Sequence, residues 1–325
     1  MIPEEIYERI IRYAVKAPSQ LNTQPWHFEV ESGVIHLLPD FSRSLPVSDP
    51  YNTNLYISMG CVLENLELAS RHLGYKADHE IVILPNYSMV KIKIREGIVP
   101  DHSRLFEHIR SRQVVETKFM NSSIDEILIE RYADKSKQKG ISIYPLLQKD
   151  KYEKITALIL KGIQFMNIQQ AYAEEVIPWI RFSEKQAMQK GDGIRAASLD
   201  LPFSNTFLSR LLIKRQLSTK NEVRRWKNLI EHSSGLVLFT AKENEPDQWI
   251  RLGTSLQRFV LNLTRSGISY SHIPYPLEYI LMQKKLAGLC GINENFPLQL
   301  IRIGRGKPVP YSFRRNIKHN VYINL

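Results

Sequence analysis

The chain has 325 residues, of which 43% are hydrophobic and 24% are charged, and its formal net charge is +11. This length and composition are typical of a globular protein with one large or two ordinary domains, and they exclude a disordered or fibrous chain. No apolar run reaches the 18 residues that a spanning helix needs, so we expect no membrane partner.

The two cysteines and the distribution of basic residues indicate the cellular compartment and the partners that we expect. Cys61 and Cys290 lie far apart in apolar surroundings, which indicates reduced cysteines of a cytoplasmic protein and no cysteine-based metal site. The acidic N-terminus leads straight into a helix, so we expect no signal peptide. The lysines and arginines are scattered and match no zinc-finger, RNP-like or helix-turn-helix pattern, so nucleic acid is not predicted as a partner. An anionic cofactor would also explain the charge.

The first informative segment is the one at 17–26, which reads APSQLNTQPW. An amphipathic helix precedes it, as the spacing of Ile6, Ile10 and Tyr13 indicates. The two prolines prevent the helix from continuing. We therefore expect a loop whose backbone N–H groups and whose Asn22 amide are free to meet a ligand, with an ordinary helix-to-strand turn as the alternative.

Two later segments resemble each other at a constant offset of 193 residues. Residues 57–74 and 250–267 both predict a helix with a glycine near its start, Gly60 or Gly253, and a glycine at its end. Glycine is unfavourable inside a helix. Its presence at matched positions predicts a close approach of two helices, unless the similarity arises by chance.

A second parallel suggests two related halves. A helix is predicted from Ile124 onward, with Ser122 and Ser123 as candidate caps, and like the first helix it leads to a strand. Further strands are predicted at 26–30, 34–38, 79–84, 90–94, 141–144, 236–240 and 298–303, and further helices at 152–175, 205–232 and 276–288. The irregular alternation favours an α+β fold. We expect one half at 1–104 and another at 105–325, with an insertion at about 178–204.

Seven motifs in order resemble the nitroreductase family of FMN flavoproteins, and in particular its Acg-like branch. They are APSQLNTQPW at 17–26, LPDFSRSLPVSDP at 38–50, ISMGCVLENL at 57–66, WIRF at 179–182, DGIRAASLDLP at 192–202, PYPLE at 274–278 and RIGRGKPVPYSFRR at 302–315. The resemblance implies a nitroreductase-like α+β fold that is a pseudo-dimer in one chain. It also implies FMN as the cofactor, with one site built from both halves.

The resemblance also assigns residues to the cofactor. The loop at 18–22 would contact the flavin, the arginine pair at 314–315 and Arg112 would bind the phosphate, and the segment at 271–275 would pass near the redox-active nitrogen. Arginine suits a phosphate because its planar fork donates two hydrogen bonds at once. The cofactor-binding residues predicted in this way are Pro18, Ser19, Gln20, Asn22, Arg112, Ser271, Arg314 and Arg315.

The chain departs from the family pattern at 110–116. The family has an arginine-rich motif there, whereas this chain keeps Arg112 but has Val114 and Glu116 at two of its positions. Glu116 would repel a phosphate unless it pairs with a cation such as Lys118. The insertion at about 178–204 resembles the lid of the Acg-like branch, and a surface loop is the alternative.

The function implied is hydride transfer from NAD(P)H through FMN to a nitroaromatic or quinone-like acceptor. No catalytic side chain is predicted, because the flavin carries out the chemistry. One alternative is a protein that sequesters FMN with little turnover, and another is a basic nucleic-acid-binding protein. We expect a cytoplasmic monomer that acts as a pseudo-dimer, or a weak homodimer, without a metal.

Overall fold

A computed structural model describes residues 2–97, 103–120, 122–167, 170–199, 219–273, 277, 279–292, 294–319 and 321–324 of the chain. Within these residues the helices are α1 (Glu4–Ala14), α2 (Thr53–His72), α3 (Glu126–Ser136), α4 (Lys149–Asn167), α5 (Gln170–Val176), α6 (Glu184–Lys190), α7 (Thr219–Glu231), α8 (Pro246–Arg265) and α9 (Ile280–Cys290).

The strands are β1 (Trp26–Glu31), β2 (Val34–Pro39), β3 (Tyr75–Ile83), β4 (Ser88–Glu96), β5 (Phe119–Met120), β6 (Ile141–Leu146), β7 (Ile180–Arg181), β8 (Ile194–Arg195), β9 (Gly235–Ala241), β10 (Ser269–His272), β11 (Phe296–Gly306) and β12 (Val321–Asn324). The predicted α+β class is confirmed.

Two sheets pack against a pair of long helices. The first sheet has the strand order β12-β1-β2-β4-β3, and the second has the order β10-β11-β9-β6 with β5 paired to β11. The first sheet contacts α2 and the second contacts α8, while α2 and α8 contact each other. The C-terminal strand β12 pairs in parallel with β1, so the end of the chain returns to the first sheet.

The close approach that the two glycines predict lies at the centre of the core. A Cβ atom on Gly60 would lie 1.9 Å from the Ile250 carbonyl oxygen, and one on Gly253 would lie 1.9 Å from the Ile57 carbonyl oxygen. Only hydrogen atoms fit at such distances, so glycine is required at both positions. The two contacts are related by the offset of 193 residues.

Polar contacts between α2 and α8 obey the same offset. A residue on α2 corresponds to the residue 193 positions later on α8. Each contact between the helices has a counterpart in which the corresponding residues take each other's places, as a local twofold axis requires. The pairs are Cys61 Sγ to Gly253 O (3.3 Å) with Thr254 Oγ1 to Gly60 O (3.3 Å), and Arg258 Nε to Glu64 Oε1 (2.8 Å) with Gln257 Nε2 to Asn65 Oδ1 (2.7 Å).

Several predicted boundaries need correction. Asp125 caps α3 by accepting a hydrogen bond from the Leu128 N–H, whereas Ser122 and Ser123 were the predicted caps. Asp125 is the cap because it directly precedes the first helical residue and has an extended backbone conformation. This conformation directs its carboxylate toward the first turn of α3.

Two long helices also differ from their predicted spans. The helix predicted at 152–175 begins earlier, at Lys149, and is helical over Lys149–Asn167 and Gln170–Val176, with 168–169 outside the described residues. The helix predicted at 276–288 begins at Ile280. Of the helix predicted at 205–232, residues 205–218 lie outside the described residues.

Candidate functional site

A cavity of about 910 Å³ lies where the first turns of α2 meet the loop that follows α1. Its wall is completed by residues from α8, from the segment 109–116, from the tail at 309–314 and from the insertion. Of the predicted cofactor-binding residues, Pro18, Ser19, Gln20, Asn22, Arg112 and Arg314 line it. Ser271 and Arg315 are not part of its lining.

The loop at 15–25 has an unusual backbone for its sequence. Leu21, Asn22 and Gln24 have φ angles of 49°, 53° and 53°, a region in which residues other than glycine are strained. Hydrogen bonds hold the loop in this form. Asn22 Nδ2 donates to Gly193 O (3.0 Å) and to Phe313 O (3.1 Å). Both amide hydrogens of Asn22 are therefore used within the chain, and the predicted free donor is wrong.

Gln20 presents an unsatisfied acceptor in this loop. Its Nε2 donates to Ser48 Oγ (3.1 Å), while its Oε1 is buried and has no hydrogen-bond partner among the described residues. A buried polar atom without a partner costs free energy. A ligand N–H or O–H in the cavity would satisfy it.

One end of the cavity is cationic. Lys16, Arg110, Arg112 and Arg314 line this end, and none of them makes an ion pair within the described part of the chain. Burial, followed by the charges of Arg314 and Arg110, lowers the pKa of the Lys16 amine. Arg112 donates to Tyr270 Oη (2.6 Å) and to Lys16 O (3.1 Å), and its buried Nε has no partner among the described residues. These groups would favour an anion.

Arg314 is engaged with the chain itself. Its guanidinium donates five hydrogen bonds of 2.9 to 3.2 Å to backbone carbonyl oxygens, which belong to residues 15, 16, 17, 312 and 313. Burial, together with the smaller effect of the nearby Arg112 charge, lowers the pKa of Arg314 to about 9. This side chain fastens the tail to the loop, and all five of its N–H donors are used.

Arg315 points away from the cavity. Its Nη2 donates to Gln24 O (2.7 Å) and Trp26 O (3.0 Å), and its Nη1 lies 3.6 Å from Asp40 Oδ2. Burial lowers the pKa of Arg315 to about 10. Contact of the arginine pair with a phosphate stays a prediction, and in this structure both side chains support the loop.

Ser271 is a strand residue and not part of a loop. It lies in β10 opposite Arg302, it is fully buried, and its Oγ has no partner among the described residues. The neighbouring His272 does line the cavity. His272 Nδ1 lies 3.1 Å from Gln299 Oε1, and burial lowers the pKa of the imidazole, which favours its neutral form. Residues 274–276 lie outside the described residues.

Glu116 pairs with a different cation from the one predicted. Its Oε2 lies 3.9 Å from Arg225 Nη2, and Arg225 also approaches Glu222, whereas Lys118 makes no ion pair within the described part of the chain. Arg225 on α7 is distant in sequence from Glu116, so the local pattern could not indicate it. The Glu116–Arg225 pair lines the cavity together with Trp226 and Trp249.

Asp49 is a cavity residue that the sequence did not single out. Its carboxylate accepts the backbone N–H groups of Asn54 and Leu55, both at 3.0 Å, and so caps the first turn of α2. Burial raises the pKa of Asp49 to about 6, although these hydrogen bonds oppose the shift. The sequence carries no local signal for this cap, because the predicted helix begins only at residue 57, whereas α2 begins at Thr53.

The insertion docks onto the cavity loop. Gln24 Nε2 donates to Gly191 O (2.8 Å), and Gly193 N donates to Asn22 O (3.2 Å). Ile180 on β7 and Ile194 on β8 belong to the insertion and line the cavity. Just before the insertion, the Glu175 carboxylate on α5 accepts the backbone N–H groups of Val47 (2.7 Å) and Ser48 (2.9 Å). A lid role of the insertion stays a prediction. Residues 200–204 of the predicted insertion lie outside the described residues.

Comparison with known proteins finds a relative that matches nearly the whole length of this chain. No family model matches the chain. A Mycobacterium tuberculosis (strain H37Rv) protein provisionally named NAD(P)H nitroreductase acg is 21% identical over 325 residues, which are 98% of this chain and 95% of the relative. The predicted resemblance to the nitroreductase family is thereby confirmed over nearly the whole chain.

Solved structures of nitroreductases are also similar. A nitroreductase with bound FMN from Desulfitobacterium hafniense is 12% identical, with a TM-score of 0.44 over 69% of this chain and 100% of that chain. The FMN-dependent nitroreductase NfnB from Mycobacterium smegmatis in complex with NADPH is 11% identical, with a TM-score of 0.40 over 63% of this chain and 89% of that chain. No helix in the described part of the chain combines the length and apolar character needed to cross a membrane.

Proposed function

We propose that this chain binds FMN in the cavity and transfers hydride from NAD(P)H to a nitroaromatic or quinone-like acceptor. The observation that carries the proposal is the cationic end of the cavity, where four basic side chains converge without a carboxylate partner among the described residues. Like charges held together at a partly buried site repel one another. A phosphate dianion at this end would relieve the repulsion.

The residues present fit the cofactor when the roles are assigned by geometry. Lys16, Arg110 and Arg112 would hold the phosphate, since each lines the cavity and keeps N–H donors available. Arg314 would instead fix the loop from behind. Gln20 Oε1 would accept a hydrogen bond from the ligand, and a cavity of about 910 Å³ has room for a nucleotide and part of a second ligand.

The flavin, once bound, would supply the hydride chemistry. The chain would supply binding, orientation and exclusion of water. Trp226 and Trp249 give the cavity apolar surface on which a planar acceptor can lie. Cys61 is unsuited to act as a nucleophile, because burial raises the pKa of its thiol to about 12.

The asymmetry of the two loops supports one site per chain. Residues 15–25 connect α1 to β1, whereas only residues 137–140 connect α3 to β6. The equivalent of the cavity loop is thus much shorter in the second half. Gln248 also packs over Gly140, whose added Cβ would lie 2.3 Å from Gln248 Oε1. We therefore propose a pseudo-dimer with a single flavin.

Flavin titration followed by anaerobic reduction tests this function. The purified chain should take up about one FMN, and NADH or NADPH should bleach the bound flavin. A chain that takes up no FMN would refute the whole proposal. Uptake without bleaching by either donor would support the second candidate, a flavin-sequestering protein, which the docking of the insertion onto the loop favours.

The variant K16M tests the assignment of the phosphate. It should weaken FMN binding about tenfold, because one charge-assisted hydrogen bond is lost. It should leave the affinity for riboflavin, which lacks the phosphate, unchanged. The matched control K93M, at an exposed position on β4, should bind both ligands as the natural chain does. Equal loss for FMN and riboflavin would contradict the assignment.

A further inference from the structure

Asp192 lies at the junction of the insertion and the body of the protein. Its Oδ1 accepts from Arg181 Nε (3.1 Å) and Nη2 (2.5 Å), and its Oδ2 accepts from Arg43 Nη2. Asp192 is only 8% exposed to solvent. The indole of Trp179 packs against both guanidinium groups, at 5.1 Å from Arg43 Cζ and 6.0 Å from Arg181 Cζ. One carboxylate therefore joins two arginines that come from separate parts of the chain.

Arg43 contacts both Asp192 and the cavity loop, and so connects the two. Its Nε donates to the carbonyl oxygen of Thr23, in the middle of the strained stretch at 21–24. The residues beside Asp192 contact the same stretch, since Gly191 O accepts from Gln24 and Gly193 O accepts from Asn22. Asp192 thus fixes both the arginine that supports the loop and the backbone that pairs with it.

Strain makes the loop depend on these supports. Three residues other than glycine in the left-handed region would relax toward ordinary conformations if their partners moved away. Leu21, one of the three, packs against a small hydrophobic cluster that is formed by Val176 at the end of α5 and by three residues of the insertion, Ile180, Phe182 and Ala196. The loop and the insertion are therefore expected to be ordered together.

We propose that Asp192 is a positioning residue of the cofactor site, which acts through Arg43 and Arg181 to hold the loop at 18–24 in its binding conformation. The inference rests on the proposed function only where it concerns the cofactor. The coupling between Asp192 and the loop concerns the chain alone, and it is measurable without any flavin.

Hydrogen exchange on the flavin-free chain tests the coupling first. The variant D192N should raise amide exchange rates at 19–24 about tenfold or more, because local opening becomes easier. The matched control E184Q removes a carboxylate from the same insertion, where Glu184 pairs with Arg195. It should change exchange at 19–24 less than twofold. Unchanged exchange in a folded D192N chain would overturn the proposal.

A second variant covers the case in which D192N does not fold. G193A keeps all charges but displaces the segment, since φ at Gly193 is +73° and an added Cβ would lie 2.3 Å from Trp179 O. It should raise exchange at 19–24 in the same way. If D192N is unfolded and G193A leaves exchange at 19–24 unchanged, the proposal is wrong.

Two further measurements separate positioning from general stability. In the double variant D192N/R43Q the increase in loop exchange, expressed as free energy, should be smaller than the sum of the two single effects, because the Asp192–Arg43 contact can be broken only once. With FMN, D192N should weaken binding about tenfold while E184Q does not. If natural and variant chains all fail to bind FMN, the proposed function fails, but the exchange results still decide the coupling.

Discussion

Asp49 shows how burial and capping compete at one residue. The carboxylate caps α2, yet burial raises its pKa from 3.8 to about 6. The Asp49 carboxylate therefore binds a proton more tightly in the folded state than in the unfolded state. The contribution of Asp49 to stability is fully present below about pH 4 and is lost as the pH rises through 6.

The variant D49N should lack this pH dependence. Between pH 5 and pH 8 the natural chain should lose about 1 kcal/mol of unfolding free energy on account of Asp49. Urea unfolding of both chains at the two pH values measures the difference. An identical change in both chains would show that the carboxylate does not titrate in this range.

At the scale of elements, the contact between α2 and α8 depends on hydrogen atoms at Gly60 and Gly253. Backbone atoms oppose both positions, so no side-chain rearrangement can make room for a methyl group. The surrounding polar pairs, such as buried Glu64 with half-buried Arg258, lie between the same helices and would be displaced with them.

The variant G60A should lower the unfolding free energy by about 2 to 4 kcal/mol, because the two helices must move apart. Gly288 in α9 supplies the control, since an added Cβ there meets no atom within 4 Å. G288A should raise stability by about 0.5 to 1 kcal/mol through helix propensity. Equal effects of the two substitutions on the melting temperature would contradict the close approach.

Helices α2 and α8 and most strands could be predicted because the sequence itself carries their signals. These signals are the periodicity of the apolar residues, the offset of 193 residues and the matched glycines. The roles of Arg314 and Arg315 could not be predicted, because most of the carbonyl oxygens that accept from these side chains lie nearly 300 residues away in sequence. Ser271 was placed in a loop because a short polar strand such as β10 resembles one. Glu116 was given a neighbour in sequence, whereas its cation comes from α7.

At the scale of the whole molecule, both ends of the chain build the site. The tail at 309–314 lines the cavity, and the last strand then joins the first sheet beside β1. The α2–α8 contact lies within one chain, and segments from early and late in the same chain line the cavity. We therefore propose a monomeric state together with the single site.

Light scattering on the flavin-loaded protein tests this pair of statements. The mass should be close to 37.8 kDa, with about one flavin for each chain. A mass near twice that value would identify a homodimer, and two flavins per chain would refute the single site.

The local twofold axis between α2 and α8 also bears on how this protein can change by mutation. In a dimer of identical subunits every substitution is copied across the axis, so both sides must tolerate it. Here a substitution at Gly60 does not recur at Gly253, and a loop can be shortened on one side alone. Residues 137–140, between α3 and β6, are the counterpart of the cavity loop at 15–25, between α1 and β1. If the single-site proposal holds, this independence of the two sides would let one of them specialise in binding while the other serves the fold alone.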